Sequence, residues 1–241
     1  MKMNIGINLG KHEEKRIGLQ FGSYNPPHEA HVQTAKNLKE AGGLDTVLML
    51  PIPQSPYKKQ IGQVPFNDKV EMCQIIAEPY NDWLKVSDAC ANFPTTFTGQ
   101  LQYCKRTIEK LFNEHADAKF SIVAGEDFSQ KYKEAVAGMA YLSMVMETCK
   151  SMSIFDFAMI QNFADRVIRA NDVFQNVDVL SAPRATLPIV GEDGQIIDRV
   201  EVSSKAIRQA IRSGAEEIIG IPDRLRDYIM QRGLYSTPHP S

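Results

Sequence analysis

The sequence predicts an open α/β sheet of parallel strands, with helices on both faces and a helical C-terminal portion. Three observations predict it. Short apolar runs alternate with longer segments of helical periodicity, the pattern of βαβ units. Turn residues cluster just after the apolar runs, where such sheets carry their ligand loops. Two helix-like segments follow one another late in the chain.

The elements come in order. Ile17 to Phe21 (IGLQF) reads as a short buried strand, and Gly22 to His28 as a turn-rich loop. Glu29 to Ala41 reads as a helix, because Ala30, Val32, Ala35 and Leu38 recur at helical spacing. Gly42 and Gly43 supply its stop. Leu44 to Leu50 (LDTVLML) is a second strand, and strand, helix and strand in such close succession imply parallel pairing with a right-handed crossover. A Pro-rich loop follows, PIPQSPYKKQIGQVP, long enough to suspect a function. Helices are expected at Asn67 to Ala77 and Thr98 to His115, then a third strand at Lys119 to Val123 ending in the turn Gly125-Glu126-Asp127. Phe128 to Asn171 is helical in composition. Val177 to Leu180 reads as a strand, and Leu187 to Val202 as a hairpin turning at GEDG. Helices at Ser204 to Ser213 and Pro222 to Arg232 complete the pattern.

Composition limits the functions. The 241 residues are 43% hydrophobic and 23% charged, ordinary usage for one domain, or one with a large insertion. The net charge of −2 creates no field that would gather nucleic acid or an anionic membrane, so neither partner is expected. An anion site must therefore be local. Cys73, Cys90, Cys104 and Cys149 form no C-x-x-C pair and suit neither a zinc site nor a dense disulfide framework. Reduced thiols and a cytoplasmic setting are expected. The N-terminal stretch lacks a continuous apolar region, so a signal peptide is not expected. The apolar run from Ala135 to Met146 is too short to span a bilayer.

The stretch Phe21 to His31, FGSYNPPHEAH, is the most informative. Gly22 lets the chain turn and keeps a side chain out of the crevice beyond the first strand. Asn25-Pro26-Pro27 stiffens the loop. His28 and His31 then fall in one helical turn and share a face, beside backbone N–H groups and the positive end of the helix dipole. That combination suits phosphate. An H-x-x-H pair is also half of a metal site; the other histidines, His12, His115 and His239, are far off in sequence, though Asp or Glu could serve, and no metal ligand is assigned. A second stretch, Val202-Ser203-Ser204-Lys205-Ala206-Ile207-Arg208, is unusual in its charge. Ser203 or Ser204 can cap a helix, yet Lys205 and Arg208 put cations near its N-terminus, each unfavourable by about 0.3–1 kcal/mol. A bound polyanion reverses that balance.

Together these stretches carry a resemblance. Gly22 to His31 resembles the G-[TS]-F-[DN]-P-x-H-x-G-H signature of the nucleotidylyltransferase superfamily, with Ala30 at the second glycine. Val202 to Arg208 resembles its I-S-S-T-x-I-R motif, with Lys205 for threonine. Ile221 to Ile229 and Gly233-Leu234-Tyr235 resemble V-P-x-x-V-x-x-Y-I and G-L-Y of the nicotinate or nicotinamide mononucleotide adenylyltransferases. Gly125-Glu126-Asp127 is similar to their G-x-D turn, and Ser55-Pro56-Tyr57-Lys58 to their P-P-H-K loop, with Tyr57 for histidine. The resemblance covers about 16–127 and 199–236. It departs over about 128–198, an insertion-like segment within a single domain spanning 1–241, and the one tryptophan, Trp83, lies outside the position after the G-x-D turn.

The resemblance implies a Rossmann-like sheet and adenylyl transfer from ATP, with Mg²⁺, to the phosphate of a mononucleotide acceptor, releasing pyrophosphate. It assigns His28, His31 and Arg208 to catalysis on the phosphates. Ser203, Ser204 and Lys205 join them in gripping the β- and γ-phosphates. Gly22, Ser23 and the backbone at Tyr24 lie against the mononucleotide. Gly125 and Asp127 contact nucleotide, and Lys58 reaches in from the Pro-rich loop. Magnesium would bridge phosphate oxygens, with no protein ligand named. A different phosphorylated acceptor, such as phosphopantetheine, and a non-catalytic nucleotide-binding relative stay open, as does a homo-oligomer. No G-x-S-x-G elbow points to a serine hydrolase.

Overall fold

The structure is a computed structural model that describes residues 15–53, 64–92, 110–111, 113–115, 117–125, 177–183, 185–190 and 195–236. Strands β1 (Lys15–Gly22), β2 (Thr46–Pro51), β3 (Leu84–Val86), β4 (Ala118–Gly125) and β5 (Asp178–Ala182) form one sheet. Their order is β3-β2-β1-β4-β5, and every neighbouring pair is parallel. This is the strand order of a Rossmann-like fold.

Helix α1 (Glu29–Gly42) joins β1 to β2, and α2 (Phe66–Ala77) precedes β3. α1 buries Ala30, Val32, Ala35 and Leu38, the stripe its spacing predicted, together with Thr34. It runs one residue past the expected end. The stop is Gly43, whose φ of 59° is left-handed and whose N–H turns back to Glu40 O. β2 is apolar on both faces, Val47 and Met49 on one and Leu48 and Leu50 on the other, whereas β1 buries Ile17 and Leu19 on one face and Gly18 and the polar Gln20 on the other.

Two features differ from expectation. A strand at Leu84–Val86 was not foreseen, and the strand expected as the third is the fourth, Ala118–Gly125. Three residues with Lys85 at their centre give no apolar run to read, and pairing with Val47–Met49 is what makes them a strand. Of the helix expected at Thr98 to His115, only 110–111 and 113–114 are described as helical, and 128–176 lies wholly outside the described residues. The described end of the insertion-like segment supplies β5 to the central sheet.

β6 (Thr186–Val190) and β7 (Ile196–Glu201) pair antiparallel, as the expected hairpin, and the GEDG turn is outside the described residues. Helices α3 (Ser204–Arg212) and α4 (Asp223–Gln231) follow. α4 buries Leu225 and Ile229, four apart on one face, each worth about 1.5–3 kcal/mol in burial. Asp68 of α2, itself buried, accepts from Tyr228 Oη at 2.7 Å and from Arg232 Nε at 3.1 Å, which pins α4 to α2. Burial, then the bond to Asp68, pushes the Tyr228 hydroxyl up to about 12.

From β1 the chain walks outward through β2 to β3, then β4 pairs on the other side of β1. The reversal lies between β1 and β4. In such sheets the crevice beyond the strand ends at that point holds ligand. Gly22 ends β1 and Gly125 ends β4.

Candidate active site

The loop after β1 is shaped by its own residues. A Cβ on Gly22 would lie 2.5 Å from Tyr24 Cζ and 2.8 Å from both Cε atoms. Glycine is therefore required by the Tyr24 ring lying over it, a packing reason beyond the turn expected from sequence. Tyr24 is buried, its φ is 42°, and its hydroxyl donates to Gln20 O at 2.8 Å. Burial raises that hydroxyl well above its ordinary pKa, so it stays a donor. The ring and hydroxyl of Tyr24 are thus committed to the protein interior. Ser23 is half-buried beside it. The Asn25–Pro26 bond is cis, and Asn25 through His28 are buried.

His28 is the N-cap of α1, with extended backbone. Its N–H donates to His31 Nδ1 at 3.1 Å. Because Nδ1 accepts, a neutral His31 carries its proton on Nε2. The two rings lie 3.8 Å apart by centroid, tilted by 35°, and the Tyr24 ring meets His31 edge-on at 5.0 Å. His31 is half-buried. The histidines thus form one unit, held by the helix start below and Tyr24 at the side. Gln20 Nε2 donates to His31 O at 3.1 Å and fixes the turn that bears them.

The start of α1 is more occupied than the sequence suggested. Glu29 N–H donates to Gly220 O, and His31 N–H to His28 O, both at 2.8 Å. The α3–α4 connection reaches across to cap this helix, so the imidazoles carry more of any grip on an anion. Ala30, at the motif's second glycine, is buried in the main core cluster, where its methyl fills protein interior.

The second motif arrives at the same loop. Ser203 caps α3, its Oγ accepting from Ala206 N–H at 3.2 Å. Ser204 Oγ donates to Pro26 O at 2.8 Å. Arg208 Nη1 donates to Asn25 O. Burial lowers the Arg208 pKa while Tyr235 raises it, and a guanidinium stays charged under either influence. Lys205 is exposed in the first turn of α3. Two imidazoles and a guanidinium thus gather on residues 25–31, a constellation that suits a phosphate chain.

Gly125 lies at the end of β4, where an added Cβ would meet no described atom within 4 Å. Lys58 and Asp127 fall outside the described residues. Among the described residues no group of three or more His, Cys, Asp or Glu is placed to hold a metal ion. The donors at the loop, imidazole N–H groups and a guanidinium, suit phosphate oxygens. Among the described residues no helix is long and apolar enough to cross a membrane.

Sequence reasoning missed three sets of contacts around the site. Asn25 accepts at its side chain from Tyr235 Oη at 2.8 Å. Gln20 supports His31, as above. Lys69 of α2 is fully buried, and its Nζ donates to Ile52 O at 3.3 Å and Pro53 O at 2.6 Å. It holds the chain leaving β2, whose Ile52 N–H donates to Gly22 O at 2.9 Å. Lys69 shares a helical face with Met72, Cys73 and Ile76, so a charge on an apolar stripe was the available signal.

A Rossmann-like sheet with paired imidazoles at its switch point and a second cationic helix start beside them defines a nucleotidyltransferase. The cytidylyltransferase-like family matches residues 19–210, and the chain belongs to that family. A probable nicotinate-nucleotide adenylyltransferase of Flavobacterium johnsoniae is 26% identical over 222 residues, covering 91% of this chain and 98% of the relative. A protein of the same description from Geobacter sp. is 26% identical over 223 residues, with the same coverages of 91% and 98%. Among solved structures, Plasmodium falciparum nicotinic acid mononucleotide adenylyltransferase complexed with NaAD shares the fold, with a TM-score of 0.51 at 14% identity over 92% of this chain and 97% of that one.

Proposed function

We propose that this chain transfers the adenylyl group of ATP to nicotinate mononucleotide, a step that builds the dinucleotide of NAD synthesis. A 5′-phosphate oxygen of the mononucleotide attacks the α-phosphorus of ATP. The bond to the β-phosphate breaks, and pyrophosphate leaves. The attacking phosphate is anionic near neutral pH, so no general base is needed. Such transfers depend on alignment and on neutralising charge.

The observation that carries this reading is the meeting of both motifs on residues 25–31. In it, His31 Nε2–H and the His28 ring donate to phosphate oxygens around the breaking bond. Arg208, Lys205 and the start of α3, capped by Ser203, hold the β- and γ-phosphates. Ser204, with its hydrogen donated to Pro26, presents its oxygen and sets the helix start against the loop. Gly22, Ser23 and the Tyr24 backbone flank the acceptor, Gly125 and Asp127 the nucleotide, and Lys58 approaches from the Pro-rich loop. Mg²⁺ accompanying ATP would supply further charge neutralisation on the phosphates that Arg208 and Lys205 hold. The names of the curated relatives favour the acid over the amide as acceptor.

The test is pyrophosphate release from ATP and Mg²⁺ with a panel of acceptors: nicotinate mononucleotide, nicotinamide mononucleotide and phosphopantetheine. Turnover fastest with nicotinate mononucleotide is expected. Release only with phosphopantetheine, or ATP binding without release, refutes the proposal.

A further inference from the structure

Among the described residues, two that are not glycine have a positive φ: Tyr24 at 42° and Tyr235 at 67°. Side chains rarely tolerate that backbone, and for a ring as large as tyrosine it persists only where surrounding contacts enforce it. Both are buried, and both touch the same residue. Tyr24 precedes Asn25 in the chain. Tyr235 donates its hydroxyl to Asn25 Oδ1 at 2.8 Å, across a separation of 210 residues. Asn25 O in turn accepts from Arg208. Asn25 is thus joined at its side chain to the C-terminal turn and at its carbonyl to α3, while Pro26 O accepts from Ser204. His28 comes two residues later.

We infer that Tyr235 is a positioning residue of the active site: through Asn25 it holds the His28-bearing loop and the Arg208 guanidinium in one fixed relation. This rests on the adenylyl-transfer reading for its kinetic part. The route is short. Tyr235 sets the Asn25 side chain, Asn25 offers its carbonyl to Arg208, and the two phosphate-binding motifs are locked together by one buried amide. Burial raises the Tyr235 pKa strongly, with Arg208 opposing, so the hydroxyl remains a donor wherever the enzyme is stable. Gly233, with a φ of 59°, ends the helical path after α4, and Tyr235 follows with its buried ring reaching Asn25.

Tyr235→Phe removes the hydroxyl and keeps the ring. Small misplacement of reacting groups lowers rate by up to about 100-fold. The expected result is a 10- to 100-fold fall in kcat for pyrophosphate release with ATP, Mg²⁺ and nicotinate mononucleotide, KM for ATP within about threefold, and an unchanged melting temperature to within a few degrees. Asn25→Ala should do the same, and the double variant should be no worse than the worse single one. Asn25→Asp keeps the oxygen that accepts from Tyr235, and should retain more turnover than Asn25→Ala. This comparison decides the matter if Tyr235→Phe does not fold. In ¹⁵N-histidine-labelled protein, the His28 and His31 ring signals should move in Tyr235→Phe. Unchanged kcat with unmoved signals overturns the inference, as do additive effects of the two substitutions or equal turnover of the Asp and Ala variants. A wild type that releases no pyrophosphate with any acceptor defeats the adenylyl-transfer reading instead. The ring signals then decide alone, moved in favour and unmoved against.

Discussion

Replacing Gly22 by alanine tests how the first loop is built. Carbon atoms in contact prefer about 3.5–4.0 Å. The new Cβ would stand 2.5 Å from Tyr24 Cζ and 2.8 Å from Cε1 and Cε2. The ring is only 2% exposed, and its hydroxyl is tied to Gln20 O, so it has nowhere to move. Overpacking of this kind costs about 1–3 kcal/mol. For a chain of this size that lowers the melting temperature by roughly 2–12 °C. The assay is urea denaturation followed through Trp83, the one tryptophan. A double-mutant cycle isolates the cause. In a Tyr24→Ala background the obstacle is gone, and adding the methyl at residue 22 should cost close to nothing. The coupling energy should then be about 1–3 kcal/mol. If Gly22→Ala is as stable as wild type and impairs only substrate binding, the glycine serves the ligand and the packing account fails. Strict additivity in the cycle refutes it too.

Other outcomes follow from the same contacts. His31→Ala should lower kcat for pyrophosphate release by roughly 10²–10³, by analogy with loss of an oxyanion donor, and near-normal turnover removes His31 from the chemistry. Lys69→Met strips the donor from Ile52 O and Pro53 O. It should destabilise the protein by about 1–3 kcal/mol in denaturant titrations, and a variant of wild-type stability shows those bonds to be inconsequential. Tyr228 has a folded pKa raised to about 12 against an ordinary 10.0, so the native state holds its proton longer than the unfolded chain. Its contribution is complete below about 10 and is lost as pH rises towards 12. Melting temperatures across that range should decline less steeply in Tyr228→Phe, and identical slopes refute the assignment.

Local pattern made much of this molecule legible. The stripe Ala30, Val32, Ala35, Leu38 predicts α1 because a helix buries one face, and all four are buried, with Thr34 beside them. The apolar run of β2 predicts a strand covered on both sides. The two motifs pointed to one anion site, and the fold brings Ser204 and Arg208 to Pro26 and Asn25. What stayed hidden has no local signal. β3 is three residues defined by their partner strand. Gly22 reads as a turn glycine, and only the folded ring of Tyr24 reveals the packing demand on it. The bond from Tyr235 to Asn25 leaves no periodicity, since nothing near either residue encodes the other. Lys69 is the intermediate case: its place on the apolar face of α2 was visible, but its carbonyl partners were not.

The order in which the chain is made gives the Asn25 junction a further meaning. Synthesis proceeds from the N-terminus, and early segments can fold before late ones exist. A growing chain on the ribosome acquires both histidines well before the anchors on Asn25 and Pro26, which come from Ser204, Arg208 and Tyr235. Until those residues emerge, the nascent polypeptide holds the first loop without these long-range anchors. The first loop therefore reaches its final geometry only after α3 and Tyr235 have been made and have settled against it.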